Sequence, residues 1–242
     1  MPETVKRTEP EFKIHTDLHA GHFTPETVEQ HQHDSVYLSL VNAHETARST
    51  AERILAARKV ALANTLQTES KNIEEFAKAH EKAFNAASGK LDGAIGFARQ
   101  AIADIEQQLN APVEAPKNAG TASDIRNHVK NLPREEKGRF MAEAMANNDH
   151  ETLTAILSAP AYLSGLTPIE HQHHKTEFKK RQNPELFSRL DLLKKTEARV
   201  TGAGSRLVEL SGQIHNYDAN KLKAAREADQ KARRALSGLM GE

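Results

Sequence analysis

The 242-residue sequence has no cysteine and no tryptophan, and its only aromatics are eight Phe and three Tyr. The missing thiols exclude disulfides, thiolate metal sites and cysteine nucleophiles, and suit a reducing compartment. Hydrophobic residues reach only 38%, too few for a compact aromatic-cored enzyme but adequate for packed helices. Net charge is also absent, with 33 basic and 33 acidic side chains, so no global field draws the chain to nucleic acid or a membrane. The longest charge-poor stretch, 152–169, is interrupted by Pro160, Gly165 and Pro168, so no membrane span is expected. Met1-Pro2-Glu3-Thr4 lacks the basic start and apolar run of a secretory signal, and synthesis in a cytoplasm is expected.

What is present is helical periodicity. Residues 1–33 carry Pro2, Pro10, Gly21, Pro25 and five histidines without sustained pattern, and read as an extended arm that wraps a partner. From Asp34 onward Val36, Leu40, Ala43, Ala47, Ala51, Ile54, Ala57 and Ala61 follow at three- and four-residue spacing. The stripe resumes through Leu62, Leu66, Ile73, Phe76, His80, Ala83 and Ala87, with neither Pro nor Gly between Gln30 and Ser88. One helix over 34–87 would be roughly 80 Å long. Gly89, Gly93 and Gly96 predict a bend, followed by a second helix with Leu91, Ile95, Ala98, Ile102, Ile105 and Leu109 on one face. Together these make a coiled-coil-like segment over 34–110.

Residues 111–120, with Pro112, Pro116 and Gly120, read as a linker, and 121–242 as a helical C-terminal domain. Its start signals are Ser123, Pro133, Asp149, Thr167-Pro168-Ile169-Glu170 and Asn183-Pro184. Gly202 and Gly204 predict a kink in the last long helix. The expected fold is all-α: an elongated helical bundle or coiled coil with a long N-terminal helix, an irregular N-terminal arm and a helical C-terminal domain.

The candidate chemistry is thin. Thirteen histidines invite a metal, yet neither the arm's His15, His19, His22, His31 and His33 nor His171, His173 and His174 have a spacing that puts three ligands on one face. The pairs His44-Glu45, His80-Glu81 and His150-Glu151 lack the second His of a zinc-protease helix, because Arg48, Phe84 and Thr154 stand four residues after the first. Gly89-Lys90 lacks the rest of a phosphate loop, and Gly202-Ala203-Gly204-Ser205 follows a helix rather than a strand. No catalytic residue, metal ligand or cofactor is therefore assigned, and the expectation is a protein that is not an enzyme.

Charge and seam are more informative. Residues 1–120 hold 13 basic and 17 acidic side chains, and residues 168–242 hold 15 and 10. The basic end offers Lys221, Lys223, Arg226, Lys231, Arg233 and Arg234 as phosphate contacts, through the nucleic-acid backbone only, since aromatics for base stacking are sparse. The Ala-rich seam and the apolar stretch after Asp149 offer Leu40, Ala47, Ala51, Ile54, Ala61, Ile73, Phe76, Leu157, Tyr162 and Leu166 as contacts between subunits of a homo-oligomer.

The run Arg139-Phe140-Met141-Ala142-Glu143-Ala144-Met145-Ala146-Asn147-Asn148-Asp149, continued by Glu151 to Pro160 and by Tyr162-Leu163-Ser164-Gly165-Leu166, resembles a segment of uncharacterised tailed-phage and prophage helical proteins. The likeness covers about residues 132–195 and contains no catalytic motif. It implies a structural protein of a bacteriophage virion, made in the host cytoplasm, with other virion proteins as partners. The alternative is a DNA-backbone-binding accessory or ejection-type phage protein using the basic C-terminal third.

Overall fold

A computed structural model describes residues 9–240, with side chains as far as Ser237. All regular structure among the described residues is helical, as the periodicity predicts. Two short 3-10 turns, Thr16–Leu18 and Ala20–His22, precede α1 (Pro25–Gln30), α2 (Ser35–Leu62), α3 (Glu69–Asn110), α4 (Ala119–Asn131), α5 (Arg134–Ala146), α6 (His150–Leu157), α7 (Ala161–Ser164), α8 (Pro168–Gln182) and α9 (Pro184–Met240). Local chemistry sets these boundaries. Asp34 caps α2, Asn118 caps α4, Asp149 caps α6, and Thr167 with Glu170 forms a complete capping box on α8.

Three helix breaks differ from expectation. The expected helix over 34–87 ends at Leu62, where Asn64 Oδ1 accepts the Leu66 N–H, Asn72 donates to the Asn64 carbonyl, and Thr68 accepts the Lys71 N–H. Short polar side chains here offer the backbone better partners than another helical turn. Conversely, α3 runs unbroken through Gly89, Gly93 and Gly96, all on its exposed side, while Ala87, Leu91, Ala94 and Ala98 keep the opposite face buried. Likewise α9 continues through Gly202 and Gly204. At Gly204 a Cβ would stand 3.4 Å from Leu91 Cδ2, so this glycine permits close approach of α3 rather than a kink.

The chain forms two compact units, one from the described residues up to Ala101 together with those from Leu192 on, the other from Ile102 to Asp191. The expected linker at 111–120 lies inside the second unit, and the expected 121–242 domain is divided, because α9 from Leu192 to Leu222 packs with α2 and α3.

In the first unit the core comes from Leu40, Ala47, Ala51 and Ile54 on α2, Ile73, Phe76, Leu91 and Ala98 on α3, and Leu193, Val200, Ala203, Leu207 and Ile214 on α9. Many of these are Ala, which lets helix axes approach closely. Asp17 joins His44 of α2 to Arg206 of α9, and further along Arg58 meets Asp218, so α2 and α9 run parallel. Arg99 meets Glu197, His80 meets Ser211 and Glu69 meets Lys221, so α3 runs antiparallel to α9.

Residues 1–8 of the arm lie outside the described residues, but from Glu9 onward it packs on its own unit, with Leu18 fully buried, His22 accepting from Arg199, and the Phe23 ring 5.0 Å from that of His44.

In the second unit α6, free of charge from Thr152 on, is the hub, touching α4, α5, α7 and α8. Leu153, Ile156 and Leu157 pack with Val129, Met141, Met145, Leu166 and Phe178. Gly165 ends α7 with φ 66°, and a Cβ there would meet Lys137 Nζ at 2.6 Å. Gly165→Ala is expected to destabilise this unit by more than about 1 kcal/mol. Gly202→Ala, in open helical space, should instead stabilise by about 0.5–1 kcal/mol; thermal unfolding of both variants checks the contrast.

Candidate functional site

Buried charge marks the most structured polar region. Arg58 sits at the next inward position after Ile54, where the apolar pattern had pointed to Ala57, which is exposed. Its guanidinium donates to Asp218 at 2.7 and 3.2 Å, both side chains being almost fully buried. Phe12 and Tyr217 flank it, their ring centroids 5.0 and 5.5 Å from Cζ. Burial opposes the Arg58 charge, but the hydrogen bonds and carboxylate of Asp218, with Glu9 beyond, outweigh it and keep the group protonated. Lys221 reaches Glu9 at 2.9 Å and Glu69 as well, tying the arm, α3 and α9 together.

Two turns before Asp218 on α9, Ser211 hydrogen-bonds His80 at 2.9 Å, and the His80 ring stacks on Phe76. Burial, aided by His215, pushes the His80 pKa below its ordinary value against the opposing pull of Asp218. His44 is likewise lowered by burial, against its hydrogen bond from Nε2 to the Asp17 carbonyl at 2.9 Å. Both are therefore neutral core imidazoles. Tyr37 is buried with its hydroxyl lacking a hydrogen-bond partner, between the rings of Phe23 and His31.

The histidines build no metal centre: no group of three or more His, Asp or Glu among the described residues is placed to hold an ion. Glu170 is engaged by its capping box and Arg134, and Asp17 by Arg206 and His15.

In the second unit, basic side chains close helix ends. Lys179 donates to the Leu109 carbonyl in the last turn of α3 and to that of Ala111 just after it, Arg181 to Met145 at the end of α5, Arg126 to Ala155 near the end of α6, and Lys137 to Gly165 after α7. Each cation satisfies a carbonyl at the negative end of a helix. A groove of about 1200 Å³ between 108–117 and α8 is lined by Lys179, Arg181, His150 and Glu151. Its two central cations are already bound to carbonyls, and His150 rests against the Phe178 ring.

The predicted subunit contacts fall differently. Leu40, Ala47, Ala51, Ile54, Ile73 and Phe76 are buried in the first unit, Leu157 and Leu166 in the second, and Ala61 is half-buried. Their apolar surface is covered within the chain, because α2, α3 and α9 supply each other's seams. Of that set only Tyr162 is exposed, at 70%.

Of the proposed phosphate contacts, Lys221 pairs with Glu9 and Glu69, Arg226 with Glu74 at 3.0 Å, and Arg233 with Asp229 at 2.9 Å. Lys223, Lys231 and Arg234 are exposed.

The register explains that exposure. Arg58 and Asp218 are 160 residues apart, so the last residue of α2, Leu62, matches Leu222. The first residue of α3, Glu69, meets Lys221. Beyond Leu222 neither helix remains to cover α9, and every residue of 223–237 is exposed.

No protein-family model, curated protein or solved structure matches the chain.

Arg58→Met leaves Asp218 buried without its partner and is expected to cost about 3–5 kcal/mol, while Arg58→Met with Asp218→Leu should recover most of it; denaturant melts of the three proteins decide this. Because His44 and His80 sit below the ordinary imidazole value of 6.5, the unfolded chain takes up protons first. Stability is complete above pH 6.5 and falls as acid carries the pH through the lower folded values, which a pH series of melting temperatures will show.

Proposed function

We propose that this protein is a non-enzymatic assembly component working as a homo-oligomer in a bacteriophage particle. The observation that carries the reading is the end of α9, where 15 consecutive residues, 223–237, keep helical form while every one of them is exposed, with Arg226 reaching back to Glu74 of α3. A helix of that length alone in water is marginal. A contact made on assembly would stabilise it. The buried polar groups favour a structural role too, since Arg58, Asp218, His80 and Lys179 are all held by partners that fix helices rather than aimed together at an open cavity. The phage setting rests on the likeness of residues 132–195. The seam on α2 and α3 is not the means of assembly in this reading, being internal to the chain.

A second reading, backbone contact with DNA, is favoured by the exposed Lys223, Lys231 and Arg234 on that same stretch. It predicts affinity falling with salt at a log–log slope of about −3, lost in the Lys223→Gln, Lys231→Gln, Arg234→Gln variant. For the leading reading, quantitative mass spectrometry of purified particles from the encoding phage or prophage is expected to find several copies per particle. Abundance in the lysate with none in particles would overturn it.

A further inference from the structure

We infer that the uncovered end of α9 pairs with the same segment of a second copy, antiparallel and centred on Gln230. This rests on the assembly reading and names its contact surface.

The inward face of α9 in the first unit is Leu193, Thr196, Val200, Ala203, Leu207, Leu210, Ile214 and Asp218, all buried and spaced by three or four residues. With the same spacing it passes through half-buried Lys221 to Ala225, Ala228, Ala232 and Ala235, all exposed. The packing stripe thus outlasts its partners. Leu236, 56% exposed, lies along its edge. Apolar residues of 223–237 gather on this one face while Lys223, Arg226, Gln230 and Arg234 occupy the opposite one, the arrangement of a helix that packs on another.

The pattern identifies the occupant. The four alanines are symmetric about 230, so in an antiparallel pair Ala225 faces Ala235 of the second copy and Ala228 faces Ala232. The same alignment sets the Asp229–Arg233 pair of one copy against that of the other on one flank, so that each carboxylate gains a second guanidinium, and brings Glu227 towards Lys231 on the other, each contact occurring twice by the dyad. A parallel pair instead sets Lys231 beside Leu236 and Asp229 beside Ala224, with no opposite charges facing. Such rim pairs select orientation more than they add affinity. Arg226, held by Glu74, lies off the seam and does not compete. The alignment also carries Leu236 of the second copy to the level of Ala224, beside the bundle end where the loop residue Leu66 is 93% exposed. That apolar contact closes the end which α2 and α3 leave open.

The native absence of cysteine makes the test clean. Full-length Ala228→Cys and Ala232→Cys chains are oxidised separately and as a mixture. The mixed disulfide is expected to form roughly tenfold faster than either self-disulfide, and sedimentation at about 100 µM should show a dimer that Ala228→Glu with Ala232→Glu converts to monomer with an unchanged melting temperature. Self-disulfides as fast as the mixed one, a wild-type monomer, or an oligomer indifferent to the glutamates would overturn the pairing. An indifferent oligomer leaves the assembly reading standing on another surface, whereas absence from particles removes that reading whatever the disulfides do.

Discussion

The helix α9 is longer than what covers it. Parallel packing on α2 and antiparallel packing on α3 both run out at Leu222, because α2 ends at Leu62 and α3 begins at Glu69. The polar turn built by Asn64, Thr68 and Asn72 fixes that end. Extending α2 by two turns would cover part of 223–237; stopping α9 at 222 would leave a closed three-helix unit. The molecule does neither, and the proposed assembly contact follows from that mismatch of lengths.

Within the first unit, small residues set close helix spacing and a few buried polar pairs set register. Ala47, Ala51, Ala98 and Ala203 are interchangeable in size, so an alanine seam by itself tolerates slippage by a turn. The Arg58–Asp218 pair does not, since a slip would strand two charges in the interior. His80 with Ser211 and His44 with the Asp17 carbonyl add fixed points along α3 and α2. The second unit solves a different problem: short helices with many exposed carbonyl ends, met by Lys179, Arg181, Arg126 and Lys137. Of the basic side chains that read in sequence as a surface for phosphates, Lys221, Arg226 and Arg233 are held by carboxylates of their own unit.

The helical class and most start signals were legible from periodicity and capping chemistry. The break at 63–68 was present in the sequence as Asn64, Thr65 and Thr68, but the stripe of apolar spacing concealed it. The glycines of α3 and α9 misled because their cost depends on what they face, which only packing decides. Whether a seam is satisfied in the same chain is likewise a tertiary fact; Leu40 and Ile54 have the same spacing whether α9 or another subunit covers them. Arg58 escaped notice because a charged residue at an inward position breaks the apolar pattern, and its partner lies 160 residues away. The unpartnered stretch was visible as a thin Ala and Leu face, yet its meaning depends on where α2 and α3 stop.

Hydrogen exchange of the intact protein as a function of its concentration tests the central claim, that the stripe beyond Leu222 is covered by a second copy, most directly. Amides of 223–237 should exchange rapidly in dilute solution and become protected as concentration rises, while those of 193–214 stay protected throughout. Rapid exchange of 223–237 at every concentration, or protection independent of concentration, would contradict the account.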